Sequence, residues 1–190
     1  MKKINLSYIG IIGLILLASF SRIIPHISNF TPIGAIALFG GAYFKNKIHS
    51  FIIPILSLWI SDLLINNYIL SNYEQFTWFY PGFLWQYSSF CIIIFIGNFA
   101  LKKPSIDKIF LSSISSSLLF FIITNFGVWI SGSLYPLNIK GLITCYILAI
   151  PFFKGTLLSF LLYSSLLFGV FEIFKSTQVL NNIKNLLKTK

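Results

Sequence analysis

The sequence predicts an all-α integral membrane protein: a bundle of six transmembrane helices with a short second helix and a broken last segment. Three observations carry this reading. The chain is 190 residues long, 56% hydrophobic and only 9% charged, whereas soluble domains carry about 25% charged residues. Its apolar runs are continuous and lack the every-second-residue alternation of a membrane β-barrel. Lysines cluster in the short gaps between runs, where helices leave a bilayer.

The first span is Ile4 to Ser21, preceded by Lys2 and Lys3. Its length, and the apolar runs behind it, favour an uncleaved span over a signal peptide cut near Ser19-Phe20-Ser21. The second, Pro32 to Phe44, has about thirteen residues and reaches about 20 Å into a core about 30 Å thick. Thr31-Pro32 reads as its start, with Thr as cap and Pro in the first turn. The third, fourth and fifth spans are Phe51 to Ile65, Phe83 to Leu101 and Ile109 to Ile130. From Gly141 to Phe174 the chain is too long for one span and is interrupted by "PFFKG", Pro151 to Gly155. It reads as a membrane-dipping piece followed by a sixth span, Thr156 to Phe174. Residues 1–174 thus form one six-span domain. Residues 175–190 form a basic tail whose Val179, Leu180, Ile183, Leu186 and Leu187 recur at helical spacing, an amphipathic helix for the inner leaflet.

Six crossings put lysines 2, 3, 45, 47, 102, 103, 108, 175, 184, 188 and 190 on one side, and only Arg22, Lys140 and Lys154 on the other. The positive-inside rule then places both termini in the cytoplasm. The formal charge of +10 is therefore a matter of topology. It supplies no basic face for nucleic acid. Cys91 and Cys145 lie inside apolar runs without a second ligand at metal spacing, so they read as small hydrophobes. Neither a phosphate loop nor HExxH or GxSxG occurs. The expectation is a binding protein, not an enzyme, with no cofactor, no metal and no nucleotide site of its own.

The outer loops in this topology, Arg22 to Thr31, Asn66 to Gly82 and Ser131 to about Gly155, hold most of the polar chemistry. If the short second helix starts below the outer surface, the segment carrying Arg22, His26 and Asn29 descends to meet it. Non-helical backbone at that depth must be buried in protein or line a cavity, with the helix N-terminus pointing into it. Otherwise Arg22 anchors a tight surface loop. Asp62 in "WISDLL" needs a partner inside the membrane, and Arg22, the single arginine, is available as ion pair or as co-ligand. Asn125 and Trp129 in "TNFGVW" share a helix face. Trp78, Tyr80, Trp85 and Tyr135 serve either as an interfacial belt or as stacking walls for a flat ligand. Lys154 meets an anionic ligand group or snorkels outward. His49 belongs to a solvated turn, and Glu172 faces Lys175 near the inner surface. Ala37 and Gly41, with Gly10 and Gly13, are small residues for helix packing inside the molecule or against another subunit.

The runs "RIIPHISNFTPIGAIALFGGAYF", "PILSLWISDLL", "TNFGVW" and "AIPFF" resemble an uncharacterised family of small bacterial integral-membrane proteins, over nearly the whole chain outside the tail. More distantly, six spans with a basic inner side and an early "RxxP…LFGGA…SD" resemble the substrate-binding S components of energy-coupling factor (ECF) vitamin transporters. In place of the paired alanines those proteins carry on their first span, this chain has Gly10, Gly13 and Ala18. The resemblance implies uptake of a small vitamin-like nutrient through an outward pocket capped by the loops after spans one, three and five. Its partners would be membrane lipid, the small-molecule ligand, and a membrane scaffold subunit with cytoplasmic ATPases. The expected ligand is aromatic or heterocyclic, and the expected binding residues are Arg22, His26, Asn29, Asp62, Trp78, Trp85, Asn125, Trp129 and Tyr135. Two other readings compete: a non-transporting membrane assembly or structural protein, and a small membrane enzyme using His26 with Asp62.

Overall fold

The computed structural model describes residues 6–22, 29–69 and 73–188, with side chains within 8–22, 29–69 and 73–177. The described residues are all-helical: α1 Leu6–Ser21, α2 Ile33–Tyr43, α3 Lys47–Leu64, α4 Phe83–Ala100, α5 Ile106–Ile130 and α6 Ile139–Lys188. A π-helical turn, Ile65–Ile69, extends α3. Four helices (α3 with its π turn, α4, α5 and α6) are long and apolar enough to cross a membrane, and α1 and α2 are apolar but shorter.

Polarity is distributed inside-out relative to a soluble bundle. Large apolar side chains face outward, with Leu17 71% exposed and Leu158 59% exposed, while Ser50, Ser89, Ser113, Ser116, Ser117 and Ser164 are fully buried. Lipid tails are as apolar as leucine, so the bundle gains little by hiding its leucines. Inside, these small residues lie among a core that includes Leu38, Phe39, Ile93, Ile94 and Phe168, and they let helices approach closely.

The short α2 is the centre of the structure. Every residue from Ile33 to Gly41 is buried. A Cβ added at Gly41 would lie 2.3 Å from the Ile94 carbonyl oxygen, and one at Gly97 would lie 2.5 Å from the Leu38 carbonyl oxygen. The backbones of α2 and α4 therefore touch, which only glycines permit. Gly40 likewise receives the ring of Pro54 from α3, and a Cβ at Gly34 would strike Phe160 of α6. This glycine-rich helix packs within the molecule, whereas Gly13 on α1 has nothing within 4 Å of where its Cβ would be.

One end of the bundle carries the lysine-bearing turns after α2 and α4. There the Tyr8 ring meets Phe44 edge-on at 5.3 Å, and its hydroxyl hydrogen-bonds Nδ1 of the exposed His49. Tyr43 donates to Glu172 at 2.7 Å, and Lys175 pairs with the same carboxylate at 3.5 Å. At this end α3 is capped by Asn46, whose side chain accepts from the Ile48 N–H.

Toward the opposite end α2 stops short. Its second residue, Gly34, meets Phe160, and Phe160 joins a row with Phe120 and Phe90 at centroid distances of 6.4 and 5.2 Å. Phe90 lies two turns below the start of α4 and Phe120 three turns below the end of α5. At about 1.5 Å per residue, α2 begins roughly 10 to 15 Å below its neighbours' ends. Of the two arrangements open to the sequence, this is the recessed one. Helix α2 itself begins at Ile33, with Pro32 at the cap position and its carbonyl accepting from the Ile36 N–H at 2.9 Å.

The last segment corrects the sequence expectation. Gly141 to Phe174 is not a dipping piece plus a span but part of a single helix of 50 residues that runs through Pro151 and into the tail. Proline removes one N–H and crowds the preceding turn, yet neighbouring helices hold transmembrane helices together at such points. Here α5 clasps α6 on both sides of Pro151. Tyr146 donates to the Ile122 carbonyl at 2.7 Å before it, and Phe153 packs on Phe121 at 4.9 Å after it. The third loop accordingly shrinks to residues 131–138, and Lys154 is an exposed residue of α6.

The glycine crossing is testable. Gly97→Val should reduce the yield of monodisperse protein and lower its unfolding temperature in detergent. Overpacking an ordinary core costs about 1–3 kcal/mol, and here the obstacle is backbone that cannot rotate away. Gly13→Ala, facing open space, should leave both readouts within error of wild type.

Candidate functional site

Arg22 follows the last turn of α1, where its N–H donates to the Ser19 carbonyl at 3.3 Å. Its guanidinium crosses to α3, with Nη2 donating to Asp62 Oδ1 at 2.7 Å and Nη1 to the Ser61 hydroxyl. From α4, the Tyr87 hydroxyl donates to Asp62 Oδ2 at 2.8 Å. The Arg22 and Asp62 side chains are 10% and 8% exposed. The expected ion pair therefore forms, and both carboxylate oxygens have donors. A buried charge pair gains from such auxiliary bonds, since its attraction offsets desolvation only when the remaining hydrogen-bonding capacity is met; the buried Nε of Arg22 alone has no partner among the described residues. The pair ties α1, α3 and α4 together at the end where α2 is recessed.

Tyr80, in the loop before α4, has a buried hydroxyl without a partner among the described residues. Burial, reinforced by the Asp62 carboxylate, pushes its phenol well above the ordinary tyrosine range, so it stays a neutral O–H. Pro81 and Gly82 then turn the chain into α4. Gly82 adopts φ +86°, a left-handed conformation that glycine takes without a steric penalty.

A cavity of about 200 Å³ lies between α4, α5 and α6, lined by Gln86, Thr124, Asn125, Thr156, the rings of Phe120, Phe121, Phe152 and Phe153, and Asn29. Asn29 is the one non-glycine described residue with positive φ, at 60°. Asparagine tolerates this region better than most residues, and such conformations recur at ligand clamps. A second cavity of about 320 Å³ shares Gln86, Thr124 and Val128 with the first and adds Tyr80, Trp85 and Leu134. The two form adjoining chambers at the recessed end. Trp85 is seated against α5 because Gly127 has no side chain: a Cβ there would lie 2.3 Å from the indole.

The candidates named from sequence thus divide. Asn29 and Asn125 line the first chamber and Trp85 the second. Arg22 and Asp62 are joined to each other and line neither chamber. Trp129 shares the Asn125 helix but donates through Nε1 to the Pro136 carbonyl at 3.1 Å, which pins the α5–α6 loop. Trp78 is exposed and stacks on Trp59 at 6.1 Å, away from both chambers. Tyr135 lies half-buried in the same loop as Pro136 and lines neither chamber. His26 lies outside the described residues. Sequence reasoning missed Tyr87, Gln86, Thr124, Thr156 and the four phenylalanines. Gln86 and Thr124 each had a faint signal as polar residues one or two turns inside an apolar span. The phenylalanines had none among the chain's 21.

Breaking the charge pair on one side should be costly. Asp62→Ala leaves Arg22 buried without its counter-charge, a loss of about 3–5 kcal/mol in comparable sites. The double replacement Arg22→Met with Asp62→Leu should recover most of that loss. Both are read from denaturant unfolding in detergent. Tyr87→Phe should cost less, about 1–3 kcal/mol for one unsatisfied acceptor.

Among comparisons with known proteins, no curated protein and no solved structure matches the chain, so none shows the likeness to S components. The model of a family of unknown function, DUF6580, matches residues 2–183, nearly the whole sequence. Its length of apolar helix is that of a membrane protein, and by this match the chain belongs to the DUF6580 family.

Proposed function

We propose that this protein is the membrane-embedded substrate-binding subunit of an uptake system for a small aromatic or heterocyclic nutrient, similar to an ECF S component. The observation that carries the proposal is the pair of chambers at the recessed end of α2. Aromatic walls with a few convergent polar groups are the usual make-up of a small-molecule site, and the lining of Asn29, Gln86, Thr124, Asn125 and Thr156 among four phenylalanines has that make-up. In this reading α1 and α2 also cross or enter the bilayer, giving six passes in a bacterial inner membrane with both termini cytoplasmic. The lysine-bearing turns then face inward and the chambers face outward, as the positive-inside rule requires. Ligand enters from outside between the α3–α4 and α5–α6 loops. A scaffold subunit and cytoplasmic ATPases supply the energy for inward release.

The competing enzyme reading, with His26 and Asp62 as acid and base, is weakened because both Asp62 oxygens already accept hydrogen bonds from Arg22 and Tyr87. The same internal pairing suits a non-transporting assembly protein, whose polar groups need satisfy only one another.

Native mass spectrometry of protein purified from membranes should reveal a co-purified small molecule. Asn125→Trp, which fills the first chamber, should release it while the protein remains monodisperse. Absence of any bound species, together with no thermal stabilisation by a broad nutrient panel, rejects capture. A stable complex lacking an ATPase would then favour the assembly role. Topology is read separately: a reporter inserted after Gln75 should be active only outside the cytoplasm, and cytoplasmic activity there would reverse the outward-facing arrangement.

A further inference from the structure

Building on the proposed capture role, we infer that the ligand is uncharged: a one- or two-ring heteroaromatic molecule bearing an amide-like donor and acceptor. The first argument is the lining. The chamber of about 200 Å³ contains two carboxamides, Asn125 and Gln86, a third at Asn29, and two hydroxyls, Thr124 and Thr156, with no ionisable side chain among its described lining residues. Thr124 and Asn125 each use one donor on their own helix, to the Phe120 and Phe121 carbonyls at 2.7 and 2.8 Å. The Asn125 amide oxygen and second N–H remain, and the Gln86 amide makes no hydrogen bond to a described residue. Carboxamides present a donor and an acceptor side by side, so they match a ligand that does the same.

The second argument is where the charges went. Asp62 is paired with Arg22 and accepts from Tyr87, while Glu74 and Lys140 are exposed and line neither chamber. Lys154 follows the chamber residue Phe153 but is itself exposed on α6. Among the described residues an ionised ligand therefore finds no counter-ion in the chamber, and burying an unpaired charge is far more costly than burying an amide that finds partners. The α2 N-terminus lies below, but none of its first-turn residues lines the chamber. Its partial positive charge favours a carbonyl oxygen without replacing a counter-ion.

Size is the third argument. A cavity of about 150 Å³ is enough for benzene. The first chamber exceeds that modestly, and it shares Gln86, Thr124 and Val128 with the second. Phe121 and Phe153, with centroids 4.9 Å apart, form one corner of its aromatic wall. One ring with a polar substituent fits, or two fused rings reaching toward Trp85.

The test uses the purified full chain in detergent and near-isosteric probes that exchange a carboxamide for a carboxylate: nicotinamide against nicotinate, and uracil-6-carboxamide against uracil-6-carboxylate. Binding is followed by thermal shift and calorimetry. The uncharged member of a pair should bind at least tenfold tighter, and Asn125→Asp should weaken it at least tenfold while leaving the unfolding temperature of the free protein little changed. A charged member binding as tightly as its neutral partner overturns this inference and leaves capture standing. If no probe binds, the formal charge of any co-purified molecule decides: a neutral one supports the inference and an ionised one overturns it. If nothing binds and nothing co-purifies, the capture reading itself has failed, and the inference falls with it.

Discussion

The arrangement depends on one steric constraint, the backbone contact between α2 and α4 at Gly41 and Gly97. With no side chains between them, the two helices lie close enough for each glycine to approach a carbonyl of the other. An 11-residue helix has little lateral surface with which to hold a place in a bundle. Close approach gives it many dispersion contacts per residue, which is the main source of helix association where the surrounding solvent is itself apolar. Pro54 on Gly40 and Phe160 on Gly34 complete the enclosure from two other directions.

Anchoring α2 so tightly at one end of the bundle leaves a space at the other. The helix begins two to three turns below the ends of α4 and α5, and the longer helices cannot collapse into the vacancy because their own contacts hold them apart. Trp85 lodged against Gly127 and Tyr146 bonded to Ile122 fix the spacing of α4, α5 and α6 around it. The chambers follow from a difference in helix length. They are lined by side chains that on a full-length α2 would have been covered.

Electrostatics at that end follow the same logic. The chain has few charges available away from its lysine-bearing turns, and two of them, Arg22 and Asp62, compensate each other with Tyr87 and Ser61 as auxiliaries. An arginine, whose planar fork reaches Asp62 with one nitrogen and Ser61 with the other, suits such a task better than a lysine would. The pair acts as a clasp between α1, α3 and α4. Removing it from the list of ligand contacts changes the chemistry expected of the chambers from ionic to neutral, and the five polar residues that do line the first chamber agree with that change.

The sequence by itself determined the class of protein, because composition decides whether a chain can dissolve in water or must dissolve in lipid. It also located the first five helices, the shortness of α2 and Arg22 as the available partner of Asp62, since the chain has a single arginine. Two things were beyond it. Pro151 and Lys154 read locally as a break, yet packing along α5 carries α6 through them, and local propensity yields to tertiary contact when a long interface favours helix on both sides. The chamber lining was equally hidden: which of many phenylalanines, and which of Asn125 and Trp129, face a cavity depends on helix rotation and depth. Those are set by where glycines allow backbones to meet, a relation between distant segments that only the folded chain contains.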